Sequence, residues 1–232
     1  MRIHYHGHSC FEIEGKSGKI LIDPFLKGNP VAKIKPESFT KLDGILVSHG
    51  HSDHFGDAIQ IAKQTNAVII SVFELAVYCQ NQGAKAHTLH IGGKYRFPFG
   101  TVKLTPAIHG SGIVNPDGGN FIYGGLACGF LIQMDGKSLY HAGDTALFSD
   151  MELIGRGSNI DLAMIPIGDN FTMGFEDAVQ AVQLLRPKAV IPMHYNTFPI
   201  IAQNPDDFTG LIQRSAPAVQ AHVLKPGEVF EL

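Results

Sequence analysis

A four-layer α/β sandwich, αββα, formed by one domain over residues 1–232, is the fold class predicted by this sequence. Three observations predict it. The 232-residue length falls within the ~200–250 residues that α/β and all-β layers occupy as one unit. Each half opens with a strand meander and continues into β-loop-α-β units, which places paired sheets in the middle and helices outside. No linker, low-complexity segment or exact repeat divides the chain. The opening meanders argue against a doubly wound parallel sheet.

The elements follow in order. Arg2–Tyr5 and Cys10–Glu14 alternate as strands, and a Gly15–Gly18 turn leads into a strand over Lys19–Asp23 that Pro24 ends. Gly44–Ser48 is a short apolar run of the kind buried strands show. Ala58, Ile59, Ile61 and Ala62 form a helical stripe within Asp57–Gln64. Ala67–Ser71 reads as a buried strand, and Phe73–Gln82 as a helix with Gly83 just beyond its end. Tyr95–Pro98 and Val102–Ala107 form a hairpin, and a Gly-rich loop spans Gly110–Gly125. Ala127–Met134 and Ser138–His141 pair across an Asp135-Gly136 turn. Asp161–Ile167 and Ala189–Met193 are buried strands flanking a Phe175–Leu185 helix. Pro205–Arg214 reads as a helix, with strands at Gln220–Leu224 and Val229–Glu231 closing the chain.

Composition narrows the function. With 18 Lys+Arg against 21 Asp+Glu and only 17% charged residues, the chain lacks the basic patch of a nucleic-acid binder, so no strong nucleic-acid binding is expected. No window approaches the ~18 apolar residues of a membrane span, and the N-terminus lacks a signal-peptide stretch. Cys10, Cys79 and Cys128 are odd in number and far apart, which suits buried thiols in a reducing cytoplasm. The expected location is cytoplasmic and the expected partner a small-molecule substrate; self-association into a homo-oligomer is left open.

Twelve residues are histidine, and they are not scattered evenly. Ser48-His49-Gly50-His51-Ser52-Asp53-His54 follows the Gly44–Ser48 strand directly and offers four potential metal ligands within six residues. This pattern is expected in about two of a thousand shuffled chains. In extended chain, residues 49, 51 and 53 point the same way and His54 the other, toward a second metal. Imidazole and carboxylate together suit zinc and its neighbours. His109, Asp144 and His194 each lie where a strand runs into a loop, so they are candidates for completing a two-metal site.

These residues resemble the signature of the metallo-β-lactamase superfamily, His49-x-His51-x-Asp53-His54 followed in order by His109, Asp144 and His194. Gly7-His8-Ser9-Cys10-Phe11, Leu21-Ile22-Asp23-Pro24-Phe25, Tyr140-His141-Ala142-Gly143-Asp144-Thr145, Pro166-Ile167-Gly168-Asp169 and Met193-His194-Tyr195-Asn196-Thr197 are similar to a bacterial and archaeal branch called "metal-dependent hydrolase". That branch is related to ascorbate-phosphate lactonases and to the phospholipase D that releases N-acylethanolamines. The resemblance covers nearly the whole chain. It implies the metallo-β-lactamase fold and two divalent metal ions per chain, with zinc expected and manganese, iron or nickel as substitutes. One ion falls to His49, His51 and His109. The other falls to Asp53, His54 and His194, and Asp144 bridges them.

Two such cations lower the pKa of a shared water, so hydroxide is available at neutral pH to attack an ester, lactone, amide or phosphodiester. Asp53 and His8 are the catalytic candidates: Asp53 as ligand and orienting carboxylate, His8 as a proton donor or substrate contact. His141 and Asp23 are expected to support the ligands from behind. Asn196 and Thr197 are candidate substrate contacts, with loop capping as the competing role. His4, His6, His87, His90 and His222 read as structural or exposed. The alternatives are a non-haem di-iron redox protein on the same scaffold and a nucleic-acid-processing phosphodiesterase. Redox relatives usually carry Glu in place of one ligand His and a fused flavin domain; here His51 is present. A mobile rim over the site is a further expectation for the 110–125 loop.

Overall fold

The computed structural model describes residues 1–115 and 117–232. Its first half contains β1 (Arg2–Gly7), β2 (Cys10–Glu14), β3 (Lys19–Ile22), β4 (Gly44–Leu46), α1 (Ser52–Phe55), α2 (Ala58–Thr65), β5 (Val68–Val72), α3 (Phe73–Asn81) and β6 (Ala86–Leu89). The second half contains β7 (Lys94–Phe97), β8 (Gly100–Pro106), β9 (Gly112–Ile113), β10 (Ile122–Tyr123), β11 (Cys128–Met134), β12 (Lys137–His141), α4 (Met151–Arg156), β13 (Leu162–Pro166), α5 (Phe175–Leu185), β14 (Ala189–Met193), α6 (Pro205–Ser215), β15 (Gln220–Ala221) and β16 (Val229–Glu231).

Two seven-stranded sheets result, ordered β16-β1-β2-β3-β4-β5-β6 and β15-β14-β13-β12-β11-β8-β7. Each has an antiparallel meander that becomes parallel: from β3 to β6 in one, and from β12 to β15 in the other. The predicted αββα layering is therefore observed. Strands β13 and β14 are buried along their whole length, as their unbroken apolar sequences require. Helix α5 buries Ala178, Val179, Ala181, Val182 and Leu185 on one face, the i, i+3, i+4, i+7 spacing of a core-facing helix.

The core is one continuous cluster from Ile3 to Ile212. Phe130 on β11 is fully buried within it. Phe130→Ala should therefore cost about 3–5 kcal/mol, read as a lowered midpoint in urea with an unchanged slope.

A buried charge group sits across the meander strands of the first sheet. Lys19 Nζ lies 2.9 Å from Glu12 Oε1, and His6 Nε2 lies 3.5 Å from Glu12 Oε2. Burial alone would raise the Glu12 carboxyl, but these two partners pull it down to about 2. The stability it contributes is complete above its unfolded pKa of ~4.3 and is lost as pH falls through the folded value. Roughly 1–2 kcal/mol is expected, below full conversion because Lys19 remains partly solvated. Glu12→Gln should flatten that part of the stability curve between pH 5 and 2 (), measured by urea unfolding.

Several expectations change. Within the Gly-rich loop, β9 and β10 pair as a short hairpin. Its two-residue strands are too brief to show alternation in sequence. β6 escaped reading because all four of its residues are only half-buried, and α4 because its six residues include Gly155. Ends also moved by one to three residues, as with β4 stopping at Leu46 and β15 at Ala221. Among the described residues no helix is long and apolar enough to cross a membrane.

Candidate metal centre

The cluster forms where strands of both sheets end. His49 follows β4, His109 follows β8, Asp144 follows β12 and His194 follows β14. Such carboxyl ends of strands are where α/β sheets leave room for ligands.

The 49–54 segment is not extended throughout. The chain is extended only as far as His51, which caps the single helical turn α1. His54 N–H and Phe55 N–H both donate to the His51 carbonyl, at 3.0 and 2.8 Å. Gly56 ends the turn at φ 37, where a Cβ would stand 2.5 Å from the Pro24 carbonyl. This turn, rather than strand alternation, swings Asp53 and His54 away from His49 and His51.

Three donor groups result. His49, His51 and His109 offer atoms within 4.8 Å of one another, as do His8, Asp53, His54 and His194, and also His49, His54 and Asp144. Asp144 stands between the first two groups. Its Oδ1 is 3.1 Å from His54 Nε2, and its Oδ2 is 3.0 Å from His194 Nε2 and 3.6 Å from His109 Nε2.

The donor chemistry fits a divalent cation. His54 Nε2, Asp144 Oδ1 and His194 Nε2 are buried and make no hydrogen bond among the described residues, despite those short separations. Buried polar atoms without partners are costly, and atoms that approach closely without aiming at one another are suited to a shared centre. Nitrogen and carboxylate oxygen are the donors zinc takes.

Groups behind the cluster set its orientation. Asp23, fully buried, accepts from His54 Nδ1 at 2.8 Å, Ser48 Oγ at 2.6 Å and Ser48 N–H at 2.7 Å. It thereby fixes the proton on His54 Nδ1 and leaves Nε2 facing the cluster. Ser48 Oγ also lies 2.9 Å from His49 Nδ1. His141 donates from Nε2 to the Ser9 carbonyl and accepts the Gly143 N–H at Nδ1, at 3.0 and 3.1 Å. Both ring nitrogens are used, so His141 braces the turn that presents Asp144. Gly143 in that turn has φ +62, and a Cβ there would meet the Cys128 carbonyl at 2.6 Å.

His8 sits at φ 59 between β1 and β2, fully buried. Its Nε2 is 3.1 Å from Asp53 Oδ2 and its Nδ1 is 2.9 Å from Thr197 Oγ1. Its carbonyl accepts the His194 N–H at 2.9 Å, a direct tie between the two halves. Asn196 is not brought into the cluster. Its side-chain oxygen accepts the Gln203 N–H at 2.8 Å, so it caps its own loop, while neighbouring Thr197 turns inward to His8. Ser48 and Ser111 are the residues that sequence reading passed over. Ser111 Oγ accepts the Gly50 N–H and donates to the Gly124 carbonyl, both at 3.1 Å, which seats the β9–β10 hairpin on the ligand loop. Ser48 stands inside the motif; nothing local marks Ser111.

Burial and neighbouring charge shape the titration. Burial lowers His49, His51 and His109, and burial with nearby His194 lowers His8 to about 4. For His54, burial is outweighed by the carboxylates of Asp144 and Asp23, which raise it well above the usual imidazole range. Asp144 is held well below the usual carboxylate range by His194 and His54, against the opposing effect of burial. Asp53 is lowered likewise by His8 and His54.

The fold and this donor set define a hydrolase domain of the metallo-β-lactamase type. The family profile described as "Beta-lactamase superfamily domain" matches residues 2–194. The chain belongs to that superfamily and, within it, to the UPF0173 metal-dependent hydrolases. A protein of that description from Desulfitobacterium hafniense (strain Y51) is 62% identical, covering 98% of this chain and 97% of its own. Igni18, described as a novel metallo hydrolase from the archaeon Ignicoccus hospitalis KIN4/I, is 38% identical with a TM-score of 0.88, over 100% of this chain and 98% of that one. CmlA, a diiron beta-hydroxylase from Streptomyces venezuelae, superposes with a TM-score of 0.75 at 16% identity, over 100% of this chain and 54% of that one. It shares the fold alone. The protein is a metal-dependent hydrolase.

Asp23→Asn should keep the fold while weakening metal binding about 10–100-fold, the usual consequence of losing a carboxylate behind a ligand His. Competition with a metal-sensitive dye measures it; unchanged affinity would remove Asp23 from the site.

Proposed function

We propose that the centre takes two divalent cations, zinc by preference, and that the protein hydrolyses an ester, lactone, amide or phosphodiester bond of a small substrate. One observation carries this reading: the donors divide into His49/His51/His109 and Asp53/His54/His194, with Asp144 within 3.6 Å of a nitrogen from each side. When bound, such cations lower the pKa of a coordinated water toward 7 and polarise the oxygen under attack.

The chain's own residues do the rest. Asp23 and Ser48 hold His54 and His49 so that the ring nitrogens needed for binding face inward. His8, held by Thr197, donates Nε2–H to Asp53 Oδ2 and fixes that carboxylate over the cluster. Asp53, so placed, would serve as the proton acceptor and donor beside a bound substrate, with His8 as its positioning partner. The full set of five imidazoles favours hydrolysis over the di-iron redox alternative. The three cysteines are free and buried, which supports a reducing, cytoplasmic setting.

Metal analysis combined with chromogenic ester, lactone, thioester and bis-phosphate substrates tests the reading. About two metals per chain and metal-dependent turnover of at least one substrate class are expected. Oxygen consumption by the ferrous protein without hydrolysis would instead favour the redox alternative.

A further inference from the structure

The ligand-bearing segments have two properties that the chemistry above does not use. First, they contain no Lys or Arg. None occurs between Arg2 and Lys16, Lys41 and Lys63, Lys103 and Lys137, Lys137 and Arg156, or Lys188 and Arg214. These intervals carry His8, the 49–54 motif, His109, Asp144 and His194. The Gly168 loop, which packs against His194, falls in a sixth such gap between Arg156 and Arg186.

Second, they carry exposed apolar side chains. Of the eleven large hydrophobic residues that are exposed among the described residues, seven lie on loops around the cluster. Ile108 adjoins His109. Val114, Phe121, Tyr123 and Leu126 belong to or flank the β9–β10 hairpin. Phe171 follows Gly168, and Ile200 lies in the loop that Asn196 caps. Phe121 and Tyr123 leave 70% and 69% of their surface in solvent.

The hairpin is fastened to the centre. Gly50 N–H is bonded to Ser111, and a Cβ on Gly110 would lie 3.5 Å from His51 Nε2. Apolar surface also continues inward, since the rings of Phe25 and Phe198 each lie 5.7 Å from the His8 ring. Clustered apolar exposure of this kind marks a binding surface, and its continuity with the cluster points to the substrate as its occupant.

Resting on the hydrolase reading, we infer that the substrate group flanking the scissile bond is apolar and uncharged, an acyl or aromatic moiety laid on Phe121 and Tyr123 of the β9–β10 hairpin, Phe171 and Phe198. A remote carboxylate or phosphate on the substrate finds no cationic side chain on the ligand loops to pair with.

The test uses the zinc-loaded full chain and three amides, acetamide, hexanamide and adipamate, the last being the hexanamide chain ended by a carboxylate. Ligand-observed NMR titration should give hexanamide an affinity at least about 10-fold above both others, since each buried methylene favours binding. The hexanamide-to-acetamide ratio should collapse in Phe121→Ser/Tyr123→Ser and in Phe171→Ser, and persist in Leu153→Ser on α4. Lys27→Gln probes the cation two residues beyond Phe25 and should leave adipamate as weak as before. The inference is overturned if adipamate binds as well as hexanamide, or if the rim variants leave the ratio unchanged. It is equally overturned if those variants alter only self-association in ultracentrifugation, which would give the rim to a second copy of the chain. Hexanamide preference without turnover of any ester, lactone or phosphodiester would sink the hydrolase reading alone. Turnover without that preference would sink this inference alone.

Discussion

Asp144→Ala is expected to abolish hydrolysis and to lower bound metal from about two ions per chain to one or none. Asp144 is the only carboxylate that approaches nitrogens from both donor groups among the described residues, at 3.1 Å from His54, 3.0 Å from His194 and 3.6 Å from His109. Its removal opens the middle of the centre. Metal-ion catalysis supplies several kcal/mol of charge stabilisation, so the rate should fall on the order of 10³-fold or more. Elemental analysis after gel filtration and ester hydrolysis are the two readouts. His51→Ala should lose metal from its own side of the centre together with activity. Either variant retaining full metal and full turnover would show that the centre lies elsewhere.

Chelation should destabilise the protein strongly. A ligand that binds only the folded state stabilises it by RT ln(1 + [L]/Kd), about 4 kcal/mol at a thousandfold excess over Kd. For a chain of this size each kcal/mol moves Tm by about 2–4 °C, so calorimetry with and without a strong chelator should differ by about 8–16 °C. The physical source is visible in the cluster. His54 Nε2, His194 Nε2 and Asp144 Oδ1 are buried and have no hydrogen-bond partner among the described residues. Asp144→Ala should show a much smaller chelator response. An unchanged Tm in the intact protein would mean that no ion contributes to the folded state.

Most of the layering was readable because the strands are either alternating or continuously apolar. β2, α5, β14 and β16 coincide with their predicted ranges. What escaped reading has a common cause. β6, α4 and the β9–β10 hairpin are short and only partly buried, so they impose little hydrophobic pattern. Their conformations come from the elements they lie against.

The same division holds at the centre. Residue types and their positions after strands sufficed to select the ligand candidates, because metal chemistry demands particular donors and strand ends deliver them to one edge. Sequence alone also determined the absence of Lys and Arg from the ligand segments. Tertiary structure decided how the donors divide. The helical turn at Ser52–Phe55, closed at Gly56, sends Asp53 and His54 toward His194 and His8, against the extended geometry that alternation predicted. Only tertiary structure could show that Thr197 rather than Asn196 turns inward, or that Ser111 fastens the hairpin to Gly50. Those choices depend on which backbone groups are left unpaired once the two halves meet, and hydrogen bonds between residues 61 and 189 positions apart leave no trace in local sequence.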